Sequence, residues 1–304
     1  MARVLAKTGL KIALESKAGE FVEPTEVIKI TSNITPKIKL DEVEIPNFSF
    51  YGGTKDVLTI ADWGQMEIEA STCLYPDLKM FESLFAMCNL KVKSDGDANT
   101  VFVPDTHGTK TGSVSLILPD RRFLGAGAKA SFSMSAKVAD KIEVKFNIKA
   151  AFCGEDIAPQ TFEDTKAQRP LYIARDMQMS MDNEEINLSE FSFEMGNEIN
   201  YEKFTNIGEF HMSDYAPKIT LKTRLESGKE SGFEAFAHGK VFTNFIASFT
   251  ESGSSRGFVL KIPTLKVAKT PEFVDLDGIY VLEREFIALS DKGDDNFELI
   301  YNKM

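Results

Sequence analysis

Two stretches decide the fold of this chain, Ile142–Phe152 (IEVKFNIKAAF) and Ile279–Leu289 (IYVLEREFIAL). In the first, apolar residues alternate with charged and amide residues, which is the period of a β-strand with one buried face. The second is a long strand of the same type, and each stretch closes a similar series of elements. The sequence therefore predicts an internal duplication, as is common in proteins that build assemblies.

Length and composition limit the possible classes of function. The chain has 304 residues, 43% of them hydrophobic, and 24 phenylalanines, enough to fill large cores. The net charge of -11 argues against general affinity for nucleic acid. Cys73, Cys88 and Cys153 lie far apart in apolar sequence, which favours reduced thiols. Lysines interrupt every apolar run of Met1–Glu20, and no stretch approaches the ~20 apolar residues of a membrane span, so we expect assembly in a cytoplasm.

The two halves align at the level of their elements. Met66–Thr72 aligns with Ile219–Arg224, and Ile142 aligns with Ile279, so the first half holds about 16 extra residues between these points. A longer helix and the polar stretch Lys93–Thr111, interpreted as an exposed loop, account for the difference. Other segments predict further strands: Ile28–Leu40, Ser113–Leu118, Ser131–Val138, Leu188–Met195 and Phe258–Lys266, the last interrupted by Pro263, which suggests an edge or a bulge.

One helix is predicted at the same place in each half. Pro76–Leu90 carries an apolar stripe at spacings of three and four, and Ser231–His238 is a shorter counterpart that ends at Gly239. The linker-like residues 156–170 separate the halves. We therefore predict a mainly β (α+β) protein with tandem antiparallel β-sandwich or half-barrel domains at 1–155 and 171–304, each with one flanking α-helix.

The sequence offers no set of residues for catalysis or for a cofactor. His107, His211 and His238 lack the spacing of a zinc site, and neither a P-loop nor a GxSxG motif occurs. Gly125–Gly127 is interpreted as a turn before a strand, and Asp95–Asp97 as a solvated turn. We predict no catalytic, cofactor-binding or metal-binding residue, and a chain that is not an enzyme.

Two aromatic-rich segments occupy the same place in each half, Asp41–Gln65 and Asn200–Pro217. They carry more aromatic residues than a free loop should, so the rings pack on their own domain or are buried in a neighbouring chain, and the pattern leaves both open. The candidate inter-subunit contacts are Phe48, Phe50, Tyr51, Trp63, Tyr201, Phe204, Phe210 and Tyr215.

Several segments of the second half resemble one protein family. Phe191–Asn206 (FSFEMGNEINYEKFTN), Gly257–Pro271 (GFVLKIPTLKVAKTP) and Asp277–Leu289 (DGIYVLEREFIAL) are similar to the second half of two-domain major tail proteins of long-tailed, non-contractile bacteriophages. In the first half, Trp63 before a strand and Leu84–Asn89 (LFAMCN) at a helix end fit the same pattern more loosely. The resemblance covers most of the chain.

This resemblance implies a tail tube fold, in which the sheets of neighbouring subunits join into the wall of a lumen. It implies homotrimeric rings of approximate sixfold symmetry, stacked into the tube through which phage DNA leaves without specific binding. The implied partners are the chain itself and the tape measure, tail terminator and distal tail proteins. The implied location is the virion tail, assembled in the bacterial cytoplasm without a membrane.

Other classes of function remain open. A terminator or baseplate ring protein would share the fold without forming long tubes. A glycan-binding tail-tip module would present its aromatic rings in a cleft, and a hydrolase on a β scaffold would need a convergent acid, base or nucleophile. Within the tube hypothesis, we expect shortening of either aromatic-rich segment to leave a folded chain whose rings do not stack.

Overall fold

The computed structural model describes residues 8–45, 56–158, 168–173, 175–204, 207–224, 233–276 and 278–303. We call residues 8–158 the first half and 168–303 the second half. The strands of the first half are β1 (Gly9–Leu14), β2 (Glu26–Ile28), β3 (Lys37–Ile45), β4 (Asp56–Cys73), β5 (Leu90–Asp95), β6 (Asn99–Pro104), β7 (Gly112–Leu118), β8 (Arg121–Lys137) and β9 (Glu143–Asp156), with helix α1 (Glu82–Met87) between β4 and β5.

The second half has the same character. Its strands are β10 (Met177–Met181), β11 (Glu184–Glu185), β12 (Leu188–Glu194), β13 (Asn197–Phe204), β14 (Ile207–Tyr215), β15 (Lys218–Arg224), β16 (Val241–Thr250), β17 (Gly257–Val267), β18 (Glu272–Leu276), β19 (Ile279–Ala288) and β20 (Glu298–Asn302), with helix α2 (Phe233–Ala237) between β15 and β16. Strands far outnumber helices, so the predicted mainly β class is confirmed.

Strand pairing reveals the duplication directly. Neighbouring strands of the first half follow the order β3–β4–β9–β8–β7–β1–β2. Those of the second half follow the order β12–β15–β19–β17–β16–β10–β11. Each strand has its counterpart at the same place along the chain, and α1 and α2 also correspond. The halves thus share one topology, with β5–β6, β18 and β20 as additions, and with β13–β14 in the place of the distal parts of β3 and β4.

One antiparallel sheet runs through both halves. Its eight strands follow the order β3–β4–β9–β8–β12–β15–β19–β18. The two halves meet inside it where Ser133–Lys137 of β8 pairs with Glu190–Glu194 of β12. We call this layer the main sheet, and the pairing of β8 with β12 the internal junction. Strands β3 and β18 form its two ends.

Strand β8 passes from the main sheet into a second layer, where its first part pairs with β7. Two register shifts interrupt its pairing with β9, between Leu124 and Gly125 and between Ala126 and Lys129. A side chain at Gly125 would place its Cβ 2.8 Å from Cβ of Ala150, so the bend requires a residue without one. The predicted turn at Gly125–Gly127 is therefore wrong, because these residues lie within a bent strand.

The two halves share one hydrophobic core. Phe81 and Phe85, before and within α1, contact Phe146 of the first half and Phe258 of the second, with ring centroids 5.6 to 6.4 Å apart. Strand β20 also pairs with β6 of the first half. The predicted linker at 156–170 falls largely outside the described residues, and the two-domain division stays a prediction.

Several predicted boundaries are corrected. Helix α1 has six residues, against the predicted Pro76–Leu90. Residues 76–81 form bends and turns before it, and the left-handed Asn89 (φ 56°) follows its C-terminal end. The predicted strand Ile28–Leu40 is divided between β2 and β3. Lys93–Thr111 is not an exposed loop, since β5 and β6 form a hairpin whose Phe102 and Val103 are buried.

The alignment of the closing strands is also wrong. Ile142 lies in the core, whereas Ile279 is 55% exposed on the other side of its strand. In β19 the core-facing residues are Leu282, Phe286 and Ala288. A shift by one residue reverses every side chain of a strand, so Ile142 and Ile279 are not equivalent positions.

Pro263 lies where β17 changes partners. Gly257–Lys261 pairs with β20, and Leu265–Val267 pairs with β19 on the same side. A proline cannot donate a hydrogen bond to a ladder, so it fits this gap. The predicted interruption is located there, and the pairing with β16 keeps one register past it.

Candidate functional site

The main sheet has one apolar face toward the core and one polar face, which we treat as the candidate site. Alternation along β4, β9, β8, β12 and β15 directs apolar residues inward and charged or hydroxyl residues outward. The basic members of the polar face are Lys37, Lys39, Lys137, Lys145, Lys149, Lys218, Lys222 and Arg224. Its acidic members are Glu67, Glu69, Glu143, Glu190, Glu194, Glu272, Glu283 and Glu285. Apart from the buried Lys129 on the same side of β8, basic and acidic side chains are therefore equal in number here among the described residues.

Ion pairs connect neighbouring strands across this face. Glu190 of β12 lies 2.9 Å from Nζ of Lys137 on β8 and 2.6 Å from Nζ of Lys222 on β15. Lys222 also lies 3.6 Å from Glu283 of β19. The hydrogen bond from Lys222 lowers the pKa of Glu190, and the same bond raises the pKa of Lys222. This network crosses the internal junction and helps to hold the halves in one sheet.

The polar face is shallow. One depression, about 550 Å³, is lined by residues of β3, β4, β8 and β9, many of them serines or charged, together with Asn197. A second depression, about 320 Å³, covers the internal junction around Ser135, Glu190 and Lys222. Among the described residues, no cluster of His, Cys, Asp and Glu could hold a metal ion. The face suits contact with an extended molecule better than enclosure of a small one.

One lysine on this side of β8 is buried, and it lies opposite Lys149 of β9. Lys129 donates from Nζ to Oδ1 of Asn89 at 2.7 Å and to the carbonyl oxygen of Gly108 at 3.1 Å. Burial lowers its pKa to about 8. Its two acceptors belong to the residues that follow α1 and β6, so this lysine fastens those connections to β8.

The predicted contact residues are only partly described. Phe48, Phe50 and Tyr51 lie outside the described residues. Trp63 belongs to β4 and Phe204 to β13, but their side chains are not described. The described ones, Tyr201, Phe210 and Tyr215, belong to the β13–β14 hairpin rather than to a loop.

The base of this hairpin packs on its own chain. Phe210 is buried, and its ring lies 4.7 Å from that of Tyr201. The hydroxyl of Tyr215 donates to Oδ1 of Asn296 at 3.0 Å, and burial together with Asp294 raises its pKa to about 12. These rings therefore pack within their own chain, where the hairpin lies against β8 and β9 of the first half. Their contact with a second chain stays a prediction.

A backbone turn sets the direction of the hairpin, which packs on β8 and β9. Gly196, between β12 and β13, has a φ of +67°, and a Cβ there would lie 2.6 Å from the carbonyl oxygen of Ala216. Nδ2 of Asn197 donates to the carbonyl oxygens of Cys88 at 3.1 Å and Ala130 at 3.0 Å. In the first half, the distal parts of β3 and β4 pair at the same place, beyond a register shift after Lys39.

The two ends of the main sheet are open. Among the described residues, β3 pairs only with β4, and β18 pairs only with β19. Apolar side chains are exposed around β18: Phe273 is 50% exposed, Tyr280 is 69% exposed, and Phe233 and Phe236 of α2 are also exposed. Sequence reasoning missed this feature, because an open edge becomes visible only when strand order is known.

Cys73 and Cys88 are buried and Cys153 is exposed, all three as free thiols. Within the described ranges, no helix is both long and apolar enough to cross a membrane. No family model matches the sequence, and no curated protein is significantly similar to it.

Proposed function

We propose that this chain is a structural virion protein that polymerises as stacked rings into the tail tube of a long-tailed bacteriophage. Three chains would form a ring of approximate sixfold symmetry, and the tube would be the conduit for DNA ejection. The observation that carries the proposal is the main sheet, in which each half contributes the same series of strands and both ends are open. A chain that joins two copies of a unit edge to edge can add further copies in the same way.

The charge of the polar face supports a role as the wall of a conduit. A surface that binds DNA needs an excess of lysine and arginine, which release counterions from the phosphates. The polar face carries equal numbers of both signs among its described residues, so the acidic surplus behind the net charge of -11 lies elsewhere. A balanced wall would let DNA pass without retaining it.

Two hairpins would supply the contacts between stacked rings. The β13–β14 hairpin and the distal parts of β3 and β4 occupy equivalent places, so a ring would present them at regular intervals. The tape measure, tail terminator and distal tail proteins would bind at the inside or the ends of the tube. In this function the chain is a structural component of the virion and not an enzyme.

Negative-stain electron microscopy of the purified protein over a range of concentrations, with light-scattering mass, tests the proposal. We expect hollow tubes or rings whose mass corresponds to three chains. A monomer at every concentration, also after addition of preformed tube ends as initiators, would contradict it and favour a glycan-binding module. Discrete rings that never lengthen would instead indicate a terminator or baseplate ring.

Shortening the β13–β14 hairpin separates ring formation from stacking. Removal of the outer residues 202–209 should leave the main sheet intact, because Asn197 and Tyr215 at the hairpin base keep their partners. We expect a folded chain that forms rings without tubes. Tubes of normal length from this variant would show that the hairpin does not mediate stacking.

A further inference from the structure

The loop between β19 and β20 is held in shape by one of its own carboxylates. Oδ1 of Asp295 accepts hydrogen bonds from the hydroxyl of Ser290, at 2.5 Å, and from the backbone nitrogen of Asp291, at 3.0 Å. Its Oδ2 accepts from the backbone nitrogen of Lys292 at 3.0 Å. The preceding residue, Asp294, has a φ of 54°, a conformation that aspartate adopts more readily than most residues. The loop therefore presents the side chain of Asp294 in one defined direction.

Asp294 reaches across the boundary between the two halves. Its Oδ1 accepts hydrogen bonds from the hydroxyl of Thr106, at 2.5 Å, and from the backbone nitrogen of the same residue, at 3.1 Å. Its Oδ2 lies 3.3 Å from Nζ of Lys91. Burial raises the pKa of Asp294, but the hydrogen bonds from Thr106 and Lys91 outweigh burial and leave this pKa lowered. A charged carboxylate of the second half thus binds two residues of the first half.

The same carboxylate lies at the base of the β13–β14 hairpin. The hydroxyl of Tyr215, the last residue of β14, lies 3.3 Å from Oδ1 of Asp294 and 3.0 Å from Oδ1 of Asn296. Nδ2 of Asn296 donates in turn to the carbonyl oxygen of Ala288, at the end of β19, at 3.0 Å. The loop therefore connects Tyr215 both to β19 and, through Asp294, to the first half.

The other strand of the hairpin base is also fixed to the first half. Asn197, the first residue of β13, donates to carbonyl oxygens on either side of it, those of Cys88 and Ala130. Nζ of Lys149 on β9 donates to the carbonyl oxygen of Ile199 at 3.2 Å. The hairpin thus belongs to the second half by sequence, yet both of its strands are bound to the first half at the base.

We propose that residues 290–296 form a clasp that fixes the β13–β14 hairpin to the first half, with Asp294 as its positioning residue. Asp294 binds donors from three places, namely β5, the residues after β6, and the end of β14. Loss of its carboxylate would detach the loop, and Tyr215 with it, from Thr106 and Lys91. The clasp is a property of the single chain and does not depend on assembly.

The hairpin needs such support because it is a separate two-stranded sheet. Within the described residues, β13 and β14 pair with each other and with no third strand. A two-stranded hairpin is marginally stable by itself in water. Its pairing therefore depends on the contacts at its base and along β8 and β9. A hairpin released at Tyr215 would open locally, while the sheets beneath it stay intact.

The clasp also has a consequence for the proposed tube. If the hairpin contacts the next ring, the clasp sets the direction in which each hairpin meets that ring. One carboxylate, Asp294, would then serve both the boundary between the halves and the contact between rings. This consequence rests on the proposed function, whereas the clasp itself does not.

Hydrogen exchange of the β13–β14 amides, measured by mass spectrometry on the monomer at low concentration, tests the clasp. Asp294→Gly removes the carboxylate without backbone strain, since glycine accepts a positive φ. We expect exchange of the hairpin amides to become about tenfold faster, because hydrogen bonds to a charged group are among the stronger ones. Asp294→Asn should recover part of the protection, because its Oδ1 can still accept from Thr106. Thr106→Val, which removes the donor from the other side, should also speed exchange.

A matched control lies in the same loop. Asp291→Gly makes the same change of charge and flexibility, and it keeps the backbone nitrogen that donates to Asp295. It should leave the hairpin rates unchanged, and the amides of β4 and β9 should keep their rates in every variant.

Three results would contradict the clasp. Equal hairpin rates in Asp294→Gly and Asp291→Gly would attribute any change to loop flexibility. Faster exchange in β4 and β9 as well would mean that Asp294 supports the whole fold and does not position the hairpin. Hairpin amides without protection in the unaltered chain would show that the base is not fixed. Electron microscopy of the unaltered chain decides the tube separately, so a chain without tubes but with a protected hairpin rejects the proposed function and leaves the clasp.

Discussion

The regions around α1 and α2 occupy equivalent places in the two halves but differ in what covers them. Phe85 of α1 is 1% exposed and contacts rings of both halves, including Phe258. Phe236 of α2 is 38% exposed, and Phe233 packs on the exposed Phe273. The first helix is covered because the second half lies beside it, whereas none of the described residues provides such a cover for the second helix. The difference shows that a further copy of the chain would have to supply the cover that α2 lacks among the described residues.

Loss of the covered ring of Phe85 should lower the stability of the chain most. Phe85→Ala removes a ring that contacts both halves, and we expect it to lower the free energy of unfolding by about 3–5 kcal/mol. Urea denaturation followed by circular dichroism measures the change. A loss below about 1 kcal/mol would mean that the halves do not depend on this shared core.

The bend of β8 is the next most sensitive position. Gly125→Ala forces a Cβ against Ala150 and Met66, and we expect a loss of about 1–3 kcal/mol in the free energy of unfolding. Ser133→Ala on the polar side of the same strand is the matched control and should change little. Equal midpoints of urea unfolding for the two variants would show that the bend tolerates a side chain.

The ion pairs at the internal junction should contribute less. Glu190→Gln removes the charge that Lys137 and Lys222 share, at a cost of about 1 kcal/mol near neutral pH. The folded pKa of Glu190 is lowered, so its contribution is present above the ordinary glutamate pKa and disappears as the pH falls through the folded value.

Urea midpoints of the Glu190→Gln variant and the unaltered chain, measured from pH 7 downward, test this sign. The difference between the two proteins should narrow below about pH 4.5. Glu285→Gln is the control with weaker pairs, since its partners Lys269 and Lys218 lie at 3.5 and 3.7 Å. A difference that does not depend on pH would attribute the effect to packing and not to charge.

Loss of the exposed ring of Phe236 should lower the stability of the monomer least. Phe236→Ala is expected to change the free energy of unfolding of the monomer by less than about 0.5 kcal/mol, because its ring is already exposed to water. Its effect should instead be on assembly, raising the concentration at which rings appear in light scattering. An unchanged assembly threshold would place α2 outside the contact between chains.

Period-two alternation was sufficient to predict most strands of the main sheet, including β4, β9, β12 and β15. It failed in β19, whose first residues, Ile279 to Leu282, are all apolar and do not reveal a face. Arg284 misled further, since it lies on the core side with its guanidinium 5.8 Å from the ring of Phe286 and donates to Thr223. A partly buried arginine that donates to Thr223 reverses the face that a binary pattern predicts.

The candidate site was harder to predict than the strands. The outward residues Glu143 and Lys145 are evident from the sequence, but their assembly into one balanced face depends on the order in which distant strands pair. The β5–β6 hairpin was interpreted as a loop because Gly, Asp and Asn dominate its surroundings. Its partner β20 lies in the other half, and local composition contains no trace of such a contact.

The position of β20 also has a consequence for the order of folding. Leu299 pairs with Phe102, although nearly the whole second half lies between them in the chain. Contacts of such long range form slowly, and a protein made from its N-terminus reaches β20 after almost everything else. During synthesis, the rings of Phe81 and Phe85 would lack their contact with Phe258 until β17 and its neighbour β20 have been made. We therefore expect the first half to acquire its protection from proteolysis late, and a nascent chain that stops before β20 to bind chaperones.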